Sequence, residues 1–360
     1  MFDAVRAVTD RWLGRGSAAI TVPVMDGKLK PNRVLDQAEQ LASLEGIDDL
    51  ASDGKTLWAS AGAVLFRLVG NVMVEVRRFD GDITAIAVRQ SGRMAVAVAG
   101  RQVRVFDVDG LQAAMLDSLA GRALRCVNAL AFESDGTLLV SDGSKRRGPE
   151  QWCHDLMELG SSGRVARWSF SAGKLDLLAE NLGFVFGVLP MTGAVLVSES
   201  WRHRVRSLGS GASLPLLADL PCYPSRMAAA KAGGFWLSCF VCRTQLVEFV
   251  LREPSYRQRM MAEIDPRYWI APALSSGRSF MEPLQGAGVK QMGVLKPWAP
   301  PRSYGLILRV AEDGRILRSL HSQVDGQNHG ITAVAEHDGF LYVVSKGSGR
   351  LLRVTMEVGE

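Results

Sequence analysis

Three absences narrow the reading before any motif is weighed. No stretch of about 18 consecutive apolar residues occurs, so no membrane-spanning helix is expected. No G-x-S-x-G elbow, P-loop, G-x-G-x-x-G or H-E-x-x-H is present, which removes the templates for serine hydrolases, nucleotide binding and zinc proteases. The glycines of ENLGFVFGV (180–188) do not follow a phosphate-binding pattern. Cysteine is scarce and odd in number: five in 360 residues, at 126, 153, 222, 239 and 242, without scaffold spacing. Reduced thiols in a cytoplasmic protein are the expectation. Cys239 and Cys242 form a C-x-x-C. On a strand such residues face opposite ways, and no second pair completes a zinc site, so neither a metal nor a redox role is expected.

What is present describes a globular chain with a sizeable core: 47% apolar, 22% charged, net charge +5. The first residues, MFDAVRAVTDRWLGRGS, carry an acid at position 3 and an apolar run too short for a secretory signal, and read as a short helix or arm. Lys145, Arg146 and Arg147 make the one compact basic cluster. No aromatic stacking motif accompanies it, so a solvated loop is expected and no nucleic-acid partner.

One turn recurs along the chain. SDGKTLWAS (52–60), QSGRMAVAV (90–98), SDGTLLVSD (134–142), MTGAVLVSE (191–199), AGGFWLSCF (232–240) and HDGFLYVVS (337–345) each join a glycine turn to a short alternating strand. A further strand carrying Arg often follows, as in AVLFRL (63–68), GRVARW (163–168), HRVRSL (203–208) and GRLLRV (349–354). The turn glycines, 54, 92, 136, 193, 234 and 339, are separated by 38, 44, 57, 41 and 105 residues. Spacings near 40–45 fit four-stranded propeller blades. The 57-residue gap holds an insert, 146–159, of helical character. The 105-residue gap holds a longer one, 253–303, which opens at Pro254, is broken by prolines, and is rich in Met, Trp and Tyr. Six turns predict an all-β, six-bladed β-propeller over residues 40–360 with a helical cap insert at 253–303. Residues 1–39 are an N-terminal arm, and TVPVMDGKLKPNR (21–33) is the segment expected to close the ring. The cap is expected to be a packed cover, a lid over a pocket, or a patch that meets a partner or membrane surface.

CVNALAFESDGTLLVSDGS (126–144), the block at 163–188, VLVSESWRHRVRSL (195–208), LPCYPSRMAAAKAGGFWLS (220–238), SYGLILRVAEDGRILRSLHS (303–322) and GITAVAEHDGFLYVVSKGSGRLLRV (330–354) together resemble the strictosidine synthase-like family. The resemblance covers roughly residues 40 to 356. It implies a six-bladed propeller related to gluconolactonase and paraoxonase propellers, with ligands at one mouth of the central channel. In calcium-dependent relatives it implies a first-blade Glu, for which LEGIDDLAS (44–52) offers Glu45 or Asp48, and a third-blade Asn, matched by Asn128. The fourth-blade Asn before Gly-Val is replaced by Phe186. The Asp-Asn after Pro in the fifth blade is replaced by Ser225 and Arg226. Phe186 cannot bind calcium, and Arg226 would set a fixed positive charge beside it. No cofactor is therefore expected, and a calcium lactonase using Glu45, Asp48 and Asn128 is only an alternative. The acid–base glutamate of strictosidine synthases falls on Thr332, with Glu336 nearby in an EHDG turn. Thr is no acid–base at neutral pH, so strictosidine formation is not expected.

The expected function is that of a small-molecule enzyme with a metal-free channel site, acting on a polar or anionic metabolite by hydrolysis, isomerisation or C–N/C–C chemistry. His329, Asp142 and Glu199 are the candidate catalytic residues, His329 because it titrates near neutral pH. Asn128, Phe186, Tyr223, Arg226 and His154 are candidates for substrate contact, with Arg226 holding a carboxylate, phosphate or enolate. The alternative is a non-catalytic binding or interaction propeller. Asn128 and Asp142 pose the sharpest question, because bare polar groups on apolar strands are costly without partners.

Overall fold

Each of the six glycine turns closes one hairpin. Gly54, Gly92, Gly136, Gly193, Gly234 and Gly339 all have φ between 67° and 93°, a conformation glycine adopts without a steric penalty. The first strands of these hairpins are Ile47–Ser52, Ile83–Val88, Val127–Phe132, Val185–Met191, Cys222–Ala229 and Ile331–His337. Their partners are Leu57–Ala61, Met94–Val98, Leu138–Asp142, Ala194–Glu199, Phe235–Cys242 and Phe340–Ser345. The Arg-bearing segments supply third strands such as Val64–Val69, Gly163–Ser169, Arg204–Leu208 and Arg350–Thr355. The computed structural model describes residues 22–209, 215–277, 282, 290–291, 294–295 and 303–356. It is an all-β, six-bladed propeller, with the six first strands side by side around the axis.

The sequence grades from axis to rim. Ile83–Val88 (ITAIAV) and its partner Met94–Val98 (MAVAV) are almost wholly buried, whereas the outer strand Val72–Arg78 is almost wholly exposed. Small residues near the axis let the inner strands approach; larger ones fill the widening gap between blades. Between blades two and three, Val103, Val105, Leu130, Val140 and Trp168 pack over Ala85 and Ala97. Each buried Val or Leu stabilises by about 1.5–3 kcal/mol.

Ring closure differs from expectation. The fourth strand of blade six is Glu39–Ser43, antiparallel to Arg350–Thr355, so it straddles the boundary placed at residue 39. The described part of 21–33 does not close the ring. It runs along blade five, where Ser319 Oγ donates to Lys28 O and Asn32 Nδ2 donates to Ser319 O. Among the described residues blade four has three strands, and a bridge between Val205 and Leu217 stands where a fourth would run.

Both inserts leave between the second and third strands of their blades, and so rise from the same face of the ring. The first carries the helix Trp152–Met157. The second starts earlier than 253, with the helix Gln245–Arg252, whose N-terminal amide at Val247 is capped by the Thr244 side chain. The helix Pro254–Glu263 follows, with Pro254 in its first turn as read from the sequence. Residues 1–21, and much of the cap from 278 to 302, lie outside the described residues.

Closure by Glu39–Ser43 makes a checkable statement. A chain that begins at residue 44 leaves Arg350–Thr355 as an unpaired edge. Its thermal midpoint is expected to fall by at least ~5 °C, with increased aggregation. An unchanged midpoint would mean that the ring does not depend on this strand.

Candidate functional site

The residues facing the axis are set there by one backbone device used six times. Ile47 pairs with Ala61 and Asp49 with Ser60, so Asp48 is skipped. In the same way Thr84, Asn128, Phe186 and Thr332 are skipped between ordinary pairs in blades two, three, four and six. In blade five, Pro224 pairs with Cys239 and Met227 with Leu237, so Ser225 and Arg226 share one opposite residue. These are β-bulges, in which an extra residue leaves the ladder and its groups are re-aimed.

The bulged residues tie the blades together. Thr332 Oγ1 donates to Asp48 O, Thr84 Oγ1 to Val127 O, Asn128 Nδ2 to Val185 O, and Ser225 Oγ to Ile331 O. Blade one meets blade two through Asp49, whose carboxylate accepts from Ile86 N at 2.8 Å. Blade four meets blade five through Ser198 Oγ, which donates to Ser225 O. Glycine is required beside Phe186: a Cβ on Gly187 would lie 2.5 Å from Ser225 O.

Arg226 lies at the centre of this ring and is buried. Its Nε donates to Asn128 O (2.8 Å), Nη1 to Asp48 O (2.8 Å) and Asp48 Oδ1 (3.1 Å), and Nη2 to Thr84 O (2.6 Å). Nη1 also lies 3.4 Å from Thr332 O, and Nε lies 3.3 Å from Asp49 Oδ1. The guanidinium carbon sits 5.2 Å from the centre of the Phe186 ring. One side chain from blade five thus touches the inner strands of the other five blades. With five N–H donors in all, it has at most one left for a ligand. Arg226 therefore does not clamp an anionic substrate; it is a plug.

The donor set does not fit a hard cation. Oxygens of Asp48, Thr84, Asn128 and Thr332 converge, but on a guanidinium, and Phe186 brings none. Glu45 is exposed in a turn, whereas Asp48 and Asn128 are buried. Among the described residues, no group of three or more His, Cys, Asp or Glu is placed to hold a metal.

Above the plug lies a cavity of about 20 Å³, room for little more than one water. Asp48, Asn128, Thr332 and Arg226 form its floor; Phe184, Phe186, Trp152 and Phe240 form an aromatic wall; Lys346 and Leu274 stand at its edge. Lys346 Nζ bonds Asp48 Oδ2 at 2.7 Å while its side chain stays about one-third exposed. Burial opposes ionisation of Asp48, but Lys346 and Arg226 outweigh it and hold the carboxyl below its ordinary value. Asp49 has less help: burial outweighs Arg226 and raises it to about 6. Both inserts reach this mouth, through Trp152 and Leu274, and they meet where His154 packs edge-on to Trp269, 4.7 Å between ring centres. A Cβ at Gly347 would lie 1.9 Å from Leu274 O, so the cap backbone can settle there only on glycine.

Several residues expected at the site are elsewhere. His329 is buried beneath the cap; Ser303 Oγ lies 2.7 Å from Nδ1 and Gln323 O 2.7 Å from Nε2, so both ring nitrogens are engaged away from the cavity. Asp142 accepts from Arg164 Nη2 (2.5 Å) and Cys126 N (2.8 Å); burial raises it above its ordinary value despite Arg164. Glu199 is fully buried and accepts from Gly183 N, Arg202 and Arg204. Each carboxylate braces its own blade and the segment that enters it. Tyr223 donates to Glu248 Oε1 in the core beneath the cap, and His154 belongs to the contact between inserts. Glu336 accepts from Trp236 Nε1. Asn128, Phe186, Arg226 and Asp48 do reach the axis. Lys346, Trp152, Phe184, Phe240 and Leu274 were not anticipated, since nothing in their local sequence distinguishes them from core or loop.

Trp201 and Arg202 sit in a 3-10 turn, and His203 Nδ1 meets Cys222 O. Burial, reinforced by Arg243, pushes His203 well below its usual value. The cysteines also depart from expectation. The bulge at Phe240 adds a residue between Cys239 and Cys242, which places both in the same apolar core. Cys239 Sγ lies 2.7 Å from Cys222 Sγ.

No protein-family model matches the chain. Over 93% of its length it is 24% identical to the adipocyte plasma membrane-associated protein of Salmo salar and 26% identical to that of Bos taurus, covering 82% of each. It is 23% identical over 65% of its length to an Arabidopsis thaliana protein named strictosidine synthase-like 13, covering 54% of that protein. Among solved structures, a gluconolactonase from Xanthomonas campestris aligns with a TM-score of 0.57 at 13% identity over 88% of this chain and 89% of that one. A luciferin-regenerating enzyme aligns with a TM-score of 0.53 at 14% identity over 91% and 95%. The resemblance read from the sequence is borne out, and these structures share the fold.

Arg226→Met would leave Asp49 and four inward carbonyls without their cation, and Asp48 with Lys346 alone. Breaking such a buried pair costs about 3–5 kcal/mol, so urea denaturation is expected to show a loss of that size or failure to fold. Arg226→Lys should recover part of it. A Met variant within ~0.5 kcal/mol of the parent would show that the plug carries little stability.

Proposed function

We propose that this chain, whose relatives are strictosidine synthase-like and whose fold is that of gluconolactonase propellers, is a small-molecule enzyme that works at the channel mouth without a metal ion. The observation that carries this reading is the Arg226 guanidinium at the point where inward oxygens meet. It supplies positive charge to the floor of the cavity, the role a metal would otherwise take there. Asp48, kept ionised, and Lys346 at the edge give the cavity one fixed pair of opposite charges against an aromatic wall. That combination suits a metabolite with an apolar or flat body and a polar or anionic end. Lys346, the partly exposed cation, recognises the anion; the rings of Trp152, Phe186 and Phe240 cover the body. Admission requires the inserts to part, because the closed cavity holds about one water. Hydrolysis, isomerisation and C–N or C–C chemistry all remain within this reading, whereas strictosidine synthesis does not, since Thr332 lines the floor where a carboxylic acid would be needed.

A second reading is a non-catalytic binding propeller. It is favoured by the engagement of Arg226, Asn128 and His329 with the protein itself. Under either reading a cytoplasmic location rests on five free cysteines. The relatives' names place those proteins at the plasma membrane; among the described residues no helix is long and apolar enough to cross one.

Carboxylates, lactones and amines should be screened by thermal shift and by product analysis, with and without chelator. The expected result is a stabilising ligand that is turned over equally in chelator and lost in Lys346→Met. Binding without turnover selects the second reading. Turnover that requires added calcium overturns the metal-free site.

A further inference from the structure

The basic cluster that the sequence suggested was merely solvated meets a second basic group in space. Arg146 and Arg147, from the first insert, and Arg257 and Gln258, from the helix Pro254–Glu263 of the second, line a cleft of about 580 Å³ between the inserts. Three guanidiniums face one carboxylate there. That carboxylate, Glu158, is held by Arg147 through both Nε (3.1 Å) and Nη2. Arg257 is 8% exposed and, among the described residues, has no acid partner. Its Nη1 donates to Leu251 O, but its buried Nε has no hydrogen-bond partner among the described residues. Burial alone acts on it and lowers it from its ordinary value. An unpaired buried guanidinium with an unused donor is costly, and such groups are normally matched by an acceptor.

We propose that this cleft is a binding site for a small polyvalent oxyanion, a phosphate group either free or carried on a metabolite. A guanidinium offers planar paired donors that match phosphate oxygens, and the cleft supplies two arginines beyond the one neutralised by Glu158. The bound anion would accept from the Arg257 guanidinium and from Arg146 across the cleft. It would thereby link the two inserts that also cover the channel mouth. The site is separate from the cavity around Asp48 and Lys346 and stands whether or not that cavity is catalytic.

The test is calorimetric titration and thermal shift with inorganic phosphate and with glycerol phosphate, against sodium chloride at equal ionic strength. The parent is expected to bind at least one of them with a rise in thermal midpoint; the tighter of the two identifies free or esterified phosphate as the source. Arg257→Met, which removes an unpaired buried charge, and Arg146→Ala, at an exposed position, are each expected to fold and to weaken binding at least tenfold. Arg257→Met should also be at least as stable as the parent without phosphate. Failure of both probes to exceed the chloride control, or equal binding by both variants, overturns the proposal.

Discussion

A single positive charge on the propeller axis organises the structure. Arg226 reaches from blade five to backbone carbonyls on blades one, two, three and six, and lies against an aromatic ring on blade four. Those carbonyls face inward because each belongs to a β-bulge, where the ladder lets one residue go. Six hairpins alone would not produce a ring with a defined centre; bulges at matching positions do. The guanidinium then gives the freed acceptors a charged donor. Charge-assisted hydrogen bonds of this kind are worth about 1.5–3 kcal/mol each, against a desolvation cost of several kcal/mol for the buried ion. The balance is favourable only because nearly every donor is used.

The architecture was legible because its signals are local. A glycine turn between alternating strands reports a hairpin, and six of them at blade spacing report the ring. The replacement of ligand positions by Phe186 and Arg226 was legible too, and both side chains face the axis. What Arg226 does there was not. Sequence shows a cation in a channel; only the bulges show how many carbonyls it meets. Asn128 and Asp142, polar residues on apolar strands, have different explanations. Asn128 is a bulge residue that links blades three and four, whereas Asp142 ends its strand under Arg164 and the Cys126 amide. His329 misled because its chemistry, not its surroundings, recommended it. Cys239 and Cys242 misled because alternation fails across an added residue. Lys346 and the aromatic wall come from loops and blades distant in sequence, and no local pattern joins them.

The two inserts leave the ring at equivalent points, so they converge over one mouth without a dedicated interface between domains. Trp152 and Phe240, at 5.3 Å between ring centres, and the bond from Trp201 Nε1 to Asp155 seat the first insert on blades four and five. Leu274 fixes the second against Gly347. A ligand at this mouth would meet a permanent guanidinium below it, an ionised carboxylate in its floor and a lysine at its rim.

The most direct measurement is on the Arg226 side chain itself. In protein labelled with ¹⁵N-arginine, with Arg226→Lys used for assignment, its Nε–H is expected to exchange slowly with solvent and to keep its shift when calcium or chelator is added. A rapidly exchanging Nε–H, or one displaced by stoichiometric calcium, would contradict a guanidinium bound to the carbonyls of the ring.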